Sequence, residues 1–490
     1  MSINILPDEV LLDIFRFCRA DSLDPASGTW GWNRLVRVCG AWRRTVLESQ
    51  NALDLRLLCT ERTPVRRTLD VWPPLPIIIE YRHAPSAKSQ SAITEDWGDL
   101  VAALRHHDRI YRITLGGLTG PLMGTLASAM QQPFPMLTYL RVQSCDAAAP
   151  SLPDGFLGGL APRLQKVWLE GIRFPSLPKF LLGSSGIVEL RLDRIPHTWD
   201  ISPQALARCL ANLNMLASLS IEFQYPQPLP GPALPHSPPR TRTLAVFPAL
   251  AILFYKGESE YLEGLVSQID APRLSYAFIR LFNQLLFEIS ELPSFISRTE
   301  KLRSLNRAEV FFDGQAVGIG FYGPETKVSR NLTVRIGCTP SDWQLSSLAQ
   351  LCNQSTSLLA GVEQLDIRGC HSRETHLQEM MQWVDLFHPF TAVESLRIPR
   401  ELGTRIAPVL HELTEPWAAE VLPALKSLIF EELGPPSESG LQRAIDEFTA
   451  ARKSSGHLVE VRRWDGKWER DIEREWYLQR EWERDFEVKD

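Results

Sequence analysis

One short apolar pattern returns along this chain and restricts its fold more than any other feature. It consists of an apolar residue, two others, an apolar, one other, and an apolar. The first clear copy is Ile110-x-x-Ile113-x-Leu115, followed by Leu137-x-x-Leu140-x-Val142, Leu164-x-x-Val167-x-Leu169 and Ile187-x-x-Leu190-x-Leu192. Then come Leu216-x-x-Leu219-x-Ile221, Leu250-x-x-Leu253-x-Tyr255 and Leu274-x-x-Ala277-x-Ile279. Late copies are Val362-x-x-Leu365-x-Ile367, Val393-x-x-Leu396-x-Ile398 and Leu425-x-x-Leu428-x-Phe430, and within the early group and within the late group consecutive copies lie 23 to 34 residues apart. A period of this size is the mark of stacked supersecondary units. The alternation inside each copy predicts a strand. The intervening Gly120 to Met130, Pro203 to Leu213, Glu260 to Gln268 and Leu441 to Ala450 predict helices. One strand and one helix cannot close a core alone, so each unit must pack on its neighbours.

Punctuation supports this division. Pro135, Pro162, Pro248, Pro272 and Pro423 each stand in a Pro-x-Leu that opens a copy, where proline stops the preceding element and favours an extended segment. Between Ala271 and Arg335 the period blurs, and Asp313-Gly314 between two β-rich runs signals a hairpin before Val334 and Ile336 resume a strand. Residues 225–240 hold seven prolines. They read either as a solvated insertion or as a polyproline segment for an aromatic-lined groove. From Val461 the chain is charged and Trp-rich. Salt-bridge spacing around Trp476, Tyr477 and Trp482 predicts a helix that caps the last repeat or reaches a partner.

The period and pattern resemble leucine-rich repeats, whose unit continues to an Asn or Cys three residues after the last apolar. Cys145 and Cys370 occupy that place. The resemblance implies an α/β solenoid, here irregular, expected as a shallow arc. Residues alternating with the core apolars then face the concave side. This nominates Tyr139, Arg141, Lys166, Trp168, Glu189, Arg191, Gln364, Asp366, Arg368 and Arg397 as a target-binding set, whose mixed charge suits a protein partner.

The N-terminal residues read differently. In Leu6-Pro7-Asp8-Glu9-Val10-Leu11-Leu12-Asp13-Ile14-Phe15, Pro7 fits a first helical position and the two carboxylates favour the positive end of the helix dipole. The apolar residues cover more than one stripe, so one stripe can bury in the chain while the other stays available. A second run, Leu35-Val36-Arg37-Val38-Cys39-Gly40-Ala41-Trp42-Arg43-Arg44, again has helical spacing, with Trp42 its largest anchor. The two runs in this order resemble the F-box, with residues 24–32 as an inserted loop. The resemblance implies a small helical module that docks on the adaptor subunit of a cullin-RING ubiquitin ligase. Adaptor binding is assigned to Leu6, Pro7, Val10, Leu11, Ile14, Phe15, Leu35, Val38, Cys39 and Trp42. The expected organisation is an F-box-like module over 1–50, a connecting segment over 51–97 with a first strand at the Ile77–Ile79 triplet, the repeats over 98–460, and the tail over 461–490.

Composition narrows the function classes. The 490 residues are 44% hydrophobic and 22% charged with a net charge of −6, which suits a folded protein and gives no reason to expect nucleic-acid or membrane partners. Eight scattered cysteines without a C-x-x-C pair predict reduced, buried thiols in cytosol or nucleus. Early acidic residues argue against a signal peptide, and no apolar run reaches membrane-spanning length. No G-x-S-x-G, phosphate-cradling loop or H-E-x-x-H is present, and Cys338, Cys352, Cys370, His371 and His376 match no tetrahedral spacing. The expectation is therefore no enzyme, no metal and no cofactor. The chain is read as the substrate receptor of an SCF-type ligase, with a repeat scaffold lacking any ubiquitin role as the alternative.

Overall fold

The computed structural model describes residues 6–20, 23–24, 29–30, 32–61, 65–82, 90–146, 149–196, 201–224, 244–282, 288–313, 316–323, 330–338, 344–369, 377–399, 409–410, 420–431 and 439–464. The Pro-rich residues 225–240, Cys370, His371 and His376, and Trp476, Tyr477 and Trp482 lie outside them. The chain divides into two compact units, Met1–Gln224 and Tyr225–Asp490.

The first unit opens with α1 (Asp8–Ala20), whose start matches its sequence. The Pro7 carbonyl accepts from Val10 and Leu11 N–H, and Asp8 and Glu9 sit in the first turn. A two-residue antiparallel ladder, β1 (Leu23–Asp24) with β2 (Thr29–Trp30), falls in the segment expected to be an inserted loop. After it come α2 (Trp32–Leu35) and α3 (Gly40–Glu48). The Trp32 indole donates to the Arg56 carbonyl at 3.1 Å and meets Trp72 edge-on, tying α2 to the following residues.

A parallel sheet follows, built in strict chain order from β3 (Leu57–Thr60), β4 (Ile77–Arg82), β5 (Ile110–Leu118), β6 (Tyr139–Ser144), β7 (Lys166–Glu170), β8 (Glu189–Ile195) and β9 (Ser218–Phe223). Parallel neighbours require a crossover. Helices supply it at α4 (Val65–Val71), α5 (Gln90–Leu104), α6 (Gly120–Ala129), α7 (Leu177–Leu182) and α8 (Pro203–Leu210). The start of α8 is built by Ser202, whose hydroxyl accepts from the Ala205 N–H, with Pro203 just inside the helix. Two strands, β3 and β4, join this sheet ahead of the first clear copy at Ile110. The residues read as a connecting segment are thus part of the sheet. The short runs Leu57–Thr60 and Ile77–Arg82 carry buried apolar residues but too little sequence to display a period.

The second unit carries the ladder β11 (Ile252–Gly257), β13 (Tyr276–Leu281), β16 (Leu332–Gly337), β15 (Ala316–Tyr322), β14 (Arg307–Asp313), β17 (Gln364–Arg368), β18 (Ser395–Ile398), β19 (Ser427–Glu431) and β20 (Glu460–Trp464), in that spatial order. A separate two-residue parallel pair joins β10 (Ala245–Val246) to β12 (Ile269–Asp270). The main ladder is parallel except at β15, which runs antiparallel to both neighbours. That reversed strand is why the period blurs after Ala271: the hairpin signalled by Asp313-Gly314 inserts an extra strand between two repeat positions. Its helices are α9 (Ser259–Val266), α10 (Glu291–Arg298), α11 (Glu300–Arg303), α12 (Gln344–Gln354), α13 (Thr356–Leu359), α14 (Leu377–Phe387) and α15 (Ser439–Ser454). The last strand, β20, extends into residues read as the charged tail. Backbone pairing to β19 claims Val461 to Trp464 as sheet, despite their charge, because the ladder bonds only main-chain groups.

The five Pro-x-Leu triplets that open a copy resolve into the same local structure. Leu137 donates to Phe134 O, Leu164 to Ala161 O, Leu250 to Phe247 O, Leu274 to Ala271 O and Leu425 to Leu422 O, all between 3.0 and 3.3 Å. Each is a four-residue turn with proline at its second position, where the fixed φ suits it. The leucine that closes the turn is buried in every case. Proline here shapes a turn whose last residue plugs the core.

Candidate functional site

The N-terminal helices sort their apolar residues into two sets. Leu11, Phe15, Leu35, Val36 and Val46 form the module's interior, with Phe15 fully buried and its ring 4.8 Å edge-on from Trp42. Leu11 and Phe15 stand one helical turn apart on α1, on one side of it. Leu6, Val10, Ile14 and Phe17 follow the other stripe. On that stripe Phe17 is 78% exposed, Val10 43% and Leu6 37%, and Pro7 is exposed as well. Val38, before α3, is 59% exposed. Of the ten residues assigned to adaptor binding, Leu11, Phe15 and Leu35 thus hold the helices together, since helix packing consumes their surface. Ile14, Cys39 and Trp42 are half-buried. Cys39 caps α3, its sulfur accepting from the Trp42 N–H at 3.5 Å. The Trp42 indole nitrogen is buried and has no hydrogen-bond acceptor among the described residues. Phe17, outside the assigned set, is the most exposed apolar residue of the module; its i+7 spacing from Val10 was the signal for it.

In the first unit, strand register assembles the nominated polar residues into rows. Tyr139, Lys166 and Glu189 are consecutive Cα partners, flanked by Arg112 and Ser218. The next row runs Glu80, Thr114, Arg141, Trp168, Arg191, Ser220. Leu169 and Leu192, which alternate with these, close on Leu177 of α7, so the rows occupy the opposite face of the sheet. Cations stack on aromatics along it: the guanidinium carbon of Arg112 lies 4.2 Å from the Tyr139 ring centre. Trp168 is flanked from both neighbouring strands, by Arg141 at 3.3 Å and Arg191 at 4.0 Å.

The charges on this face are unevenly matched. Lys166 pairs with Glu189 at 2.8 Å, Arg194 with Glu170 at 3.0 Å, and Arg191 with Asp193 at 3.3 Å. Asp193 is buried, and desolvation pushes its carboxyl up to about 6 despite Arg191 and the Ser220 hydroxyl. Arg141 has no carboxylate within ion-pair distance among the described residues. Burial holds its guanidinium below the ordinary arginine value, and the neighbouring Arg82 and Arg191 charges add to that. Arg112 and Thr114 occupy the alternating places of the first copy, so the same rule that nominated Arg141 reaches them.

The corresponding residues of the second unit meet a different fate. Ile319, Phe321 and Val334 line one cavity with Leu292, Ile296 and Leu351, which puts Gly318, Gly320 and Thr333 on the other face. There Glu309, on β14, is fully buried. It accepts from Arg330 at 2.8 Å and is in close contact with Arg368 and the Tyr322 hydroxyl. Burial raises the Glu309 pKa, yet Arg330, Arg368 and Tyr322 outweigh it and hold the carboxyl below the ordinary value. Arg307 and Arg397 converge on Asp366, which is itself buried. Gln364 stays exposed. Gly318 and Gly320 make this packing possible. A Cβ on Gly320 would lie 2.6 Å from Arg330 Cδ, and one on Gly318 would lie 2.6 Å from the Phe311 ring. Asp366, Arg368 and Arg397 are thus engaged within the unit, largely through Arg307, Glu309 and Arg330, which the blurred period concealed.

Cys59, Cys338 and Cys352 are buried thiols, and desolvation raises all three, Cys59 to about 12. Cys145 is exposed, against the expectation of burial, but its N–H donates to Leu118 O at 3.1 Å and its sulfur lies 3.5 Å from the same oxygen. It serves the backbone of the preceding strand. Among the described residues no three His, Cys, Asp or Glu side chains gather as a metal site, and no helix is long and apolar enough to cross a membrane. No protein-family model and no curated protein matches this chain.

Proposed function

We propose that this chain is the substrate receptor of an SCF-type ubiquitin ligase, working in the cytoplasm or nucleus. Its N-terminal helices act as an F-box toward the ligase's adaptor subunit, and its strand-and-helix units act as leucine-rich repeats toward a target protein. The observation that carries the reading is the double-striped α1. Leu11 and Phe15 face inward, while Leu6, Val10 and Phe17, with Val38 nearby, stay exposed. A lone helical cap has no use for that second stripe, since water contact with such side chains costs about 1.5–3 kcal/mol each relative to burial. A partner helix or groove covering them gains that energy, and a few such anchors carry most of an interface's affinity. Reaction here is positioning: a bound target is held where a separate enzyme transfers ubiquitin.

The test is binding of the purified full chain to the purified adaptor subunit. Val10→Asp, Phe17→Asp and Val38→Asp should each weaken binding at least tenfold and leave thermal unfolding unchanged, because these side chains are exposed. Phe15→Asp is a poor test, since Phe15 is fully buried and a carboxylate there should destabilise the module itself. Absence of binding by the parent chain overturns the ligase reading and leaves a repeat scaffold.

A further inference from the structure

The face of the first unit carries a cationic corner with unused hydrogen-bonding capacity. Arg82 ends β4, and Arg141 and Trp168 sit side by side on β6 and β7. Neither the Arg82 nor the Arg141 guanidinium has a carboxylate partner among the described residues, whereas Lys166, Arg191 and Arg194 on the same face all have one. The Trp168 indole N–H and the Thr114 hydroxyl are buried atoms with no hydrogen-bond partner among the described residues. Thr114, Arg141 and Trp168 are consecutive in one row, so these donors lie together. Buried donors without acceptors cost free energy, and two cations on one indole repel each other. An arriving anion removes both penalties.

We propose that Arg82, Arg141, Trp168 and Thr114 form a carboxylate site that takes an Asp or Glu side chain from an extended segment of a target protein. Arg141 presents its fork to the carboxylate while its flat side stays on the indole, so the side chain is already ordered before binding. Trp168 and Tyr139 give the residues flanking the carboxylate an aromatic surface. The size of the anion follows from the neighbouring rows. Glu80, Glu170, Glu189 and Asp193 border the site, and Glu170 is the carboxylate nearest Arg141 in electrostatic effect. A continuous phosphate backbone crossing this face would run over those charges. A single carboxylate or a close pair would not. The target class rests on the receptor reading above, but the site itself does not depend on the F-box.

The experiment uses the full chain and a displayed library of random heptapeptides, without any adaptor subunit, so failure of the ligase reading leaves its outcome untouched. The parent chain should enrich peptides containing Asp or Glu several-fold over the input library. Arg141→Gln should lose that enrichment while its thermal unfolding stays unchanged, and Arg82→Gln should reduce it. The best enriched peptide, resynthesised with Gln in place of its acidic residue, should bind at least tenfold more weakly by fluorescence anisotropy. The inference is overturned by enrichment without acidic residues, by no enrichment at all, or by an undiminished acidic preference in Arg141→Gln. It is equally overturned if a single-stranded oligonucleotide binds the same chain more tightly than the best peptide and loses that affinity in Arg141→Gln.

Discussion

The sheet faces of the two units start from the same grammar and end in opposite states. In the first, Tyr139, Arg141, Lys166, Trp168 and Glu189 stand in register and remain partly exposed. In the second, all seven residues of β15 are buried, and Glu309 is paired with Arg330, Arg368 and Tyr322. The cause is the inserted hairpin. Small residues at Gly318 and Gly320 lower the floor of the sheet, Phe311 and Arg330 settle into the depression, and Glu309 is desolvated beneath them. Alternating charge on a strand therefore does not by itself make a binding face. It becomes one where the charges are left incompletely matched, and a structural network where they are fully matched.

The comparison breaks most readily at Glu309. Glu309→Ala leaves Arg330 buried without its counter-charge, and loss of a buried partner of this kind costs about 3–5 kcal/mol. Denaturant unfolding of the parent and variant chains checks it, and a loss below 1 kcal/mol would mean the network contributes little. Gly318→Ala follows. Its Cβ would meet Val334 O at 2.7 Å as well as the Phe311 ring, and overpacking of this sort costs about 1–3 kcal/mol. The same measurement on Gly124→Ala, where nothing lies within 4 Å, should show no loss.

Acidity separates the units by sign. Glu309 has a depressed carboxyl, so its stabilisation is present above the ordinary 4.5 and is lost as pH falls through the folded value. Asp193 is the reverse: raised from 3.8 to about 6, its contribution is complete below 3.8 and is lost as pH rises through about 6. The difference amounts to a few kcal/mol at most. Unfolding midpoints of Asp193→Asn against the parent should therefore converge at low pH and diverge between about 4 and 6. Parallel midpoints across that window would show that Arg191 already compensates the burial. The smallest effect belongs to Lys166→Gln. Its ion pair with Glu189 joins side chains 54% and 29% exposed, so stability should change by less than about 0.5 kcal/mol.

Much of this is legible in the sequence. Alternation alone puts Tyr139, Arg141, Lys166, Trp168, Glu189 and Arg191 on one face, because strand side chains repeat every two residues. The Pro-x-Leu signal correctly marked where extended chain begins, though proline builds a turn there and does not merely end a helix. The candidate surfaces were less legible. Nothing local to Asp366 reveals that Arg307 will lie beside it, since register places them together from 59 positions apart. Leu11 and Val10 are equally apolar neighbours, and only packing against α2 and α3 decides which of them is hidden. The strand at Glu460–Trp464 is not legible locally, because its charged residues carry no apolar alternation and only main-chain pairing to β19 makes it sheet.

The sequence by itself determined the local geometry: strands at the apolar copies, turns at the prolines, two stripes on α1 and a hairpin at Asp313-Gly314. These follow from residue-by-residue sterics and periodicity, which need no distant partner. The tertiary structure alone decided which charges lose water and which keep it. Desolvation depends on what other segments bring to the same place, and that sum is not written in any one stretch of chain.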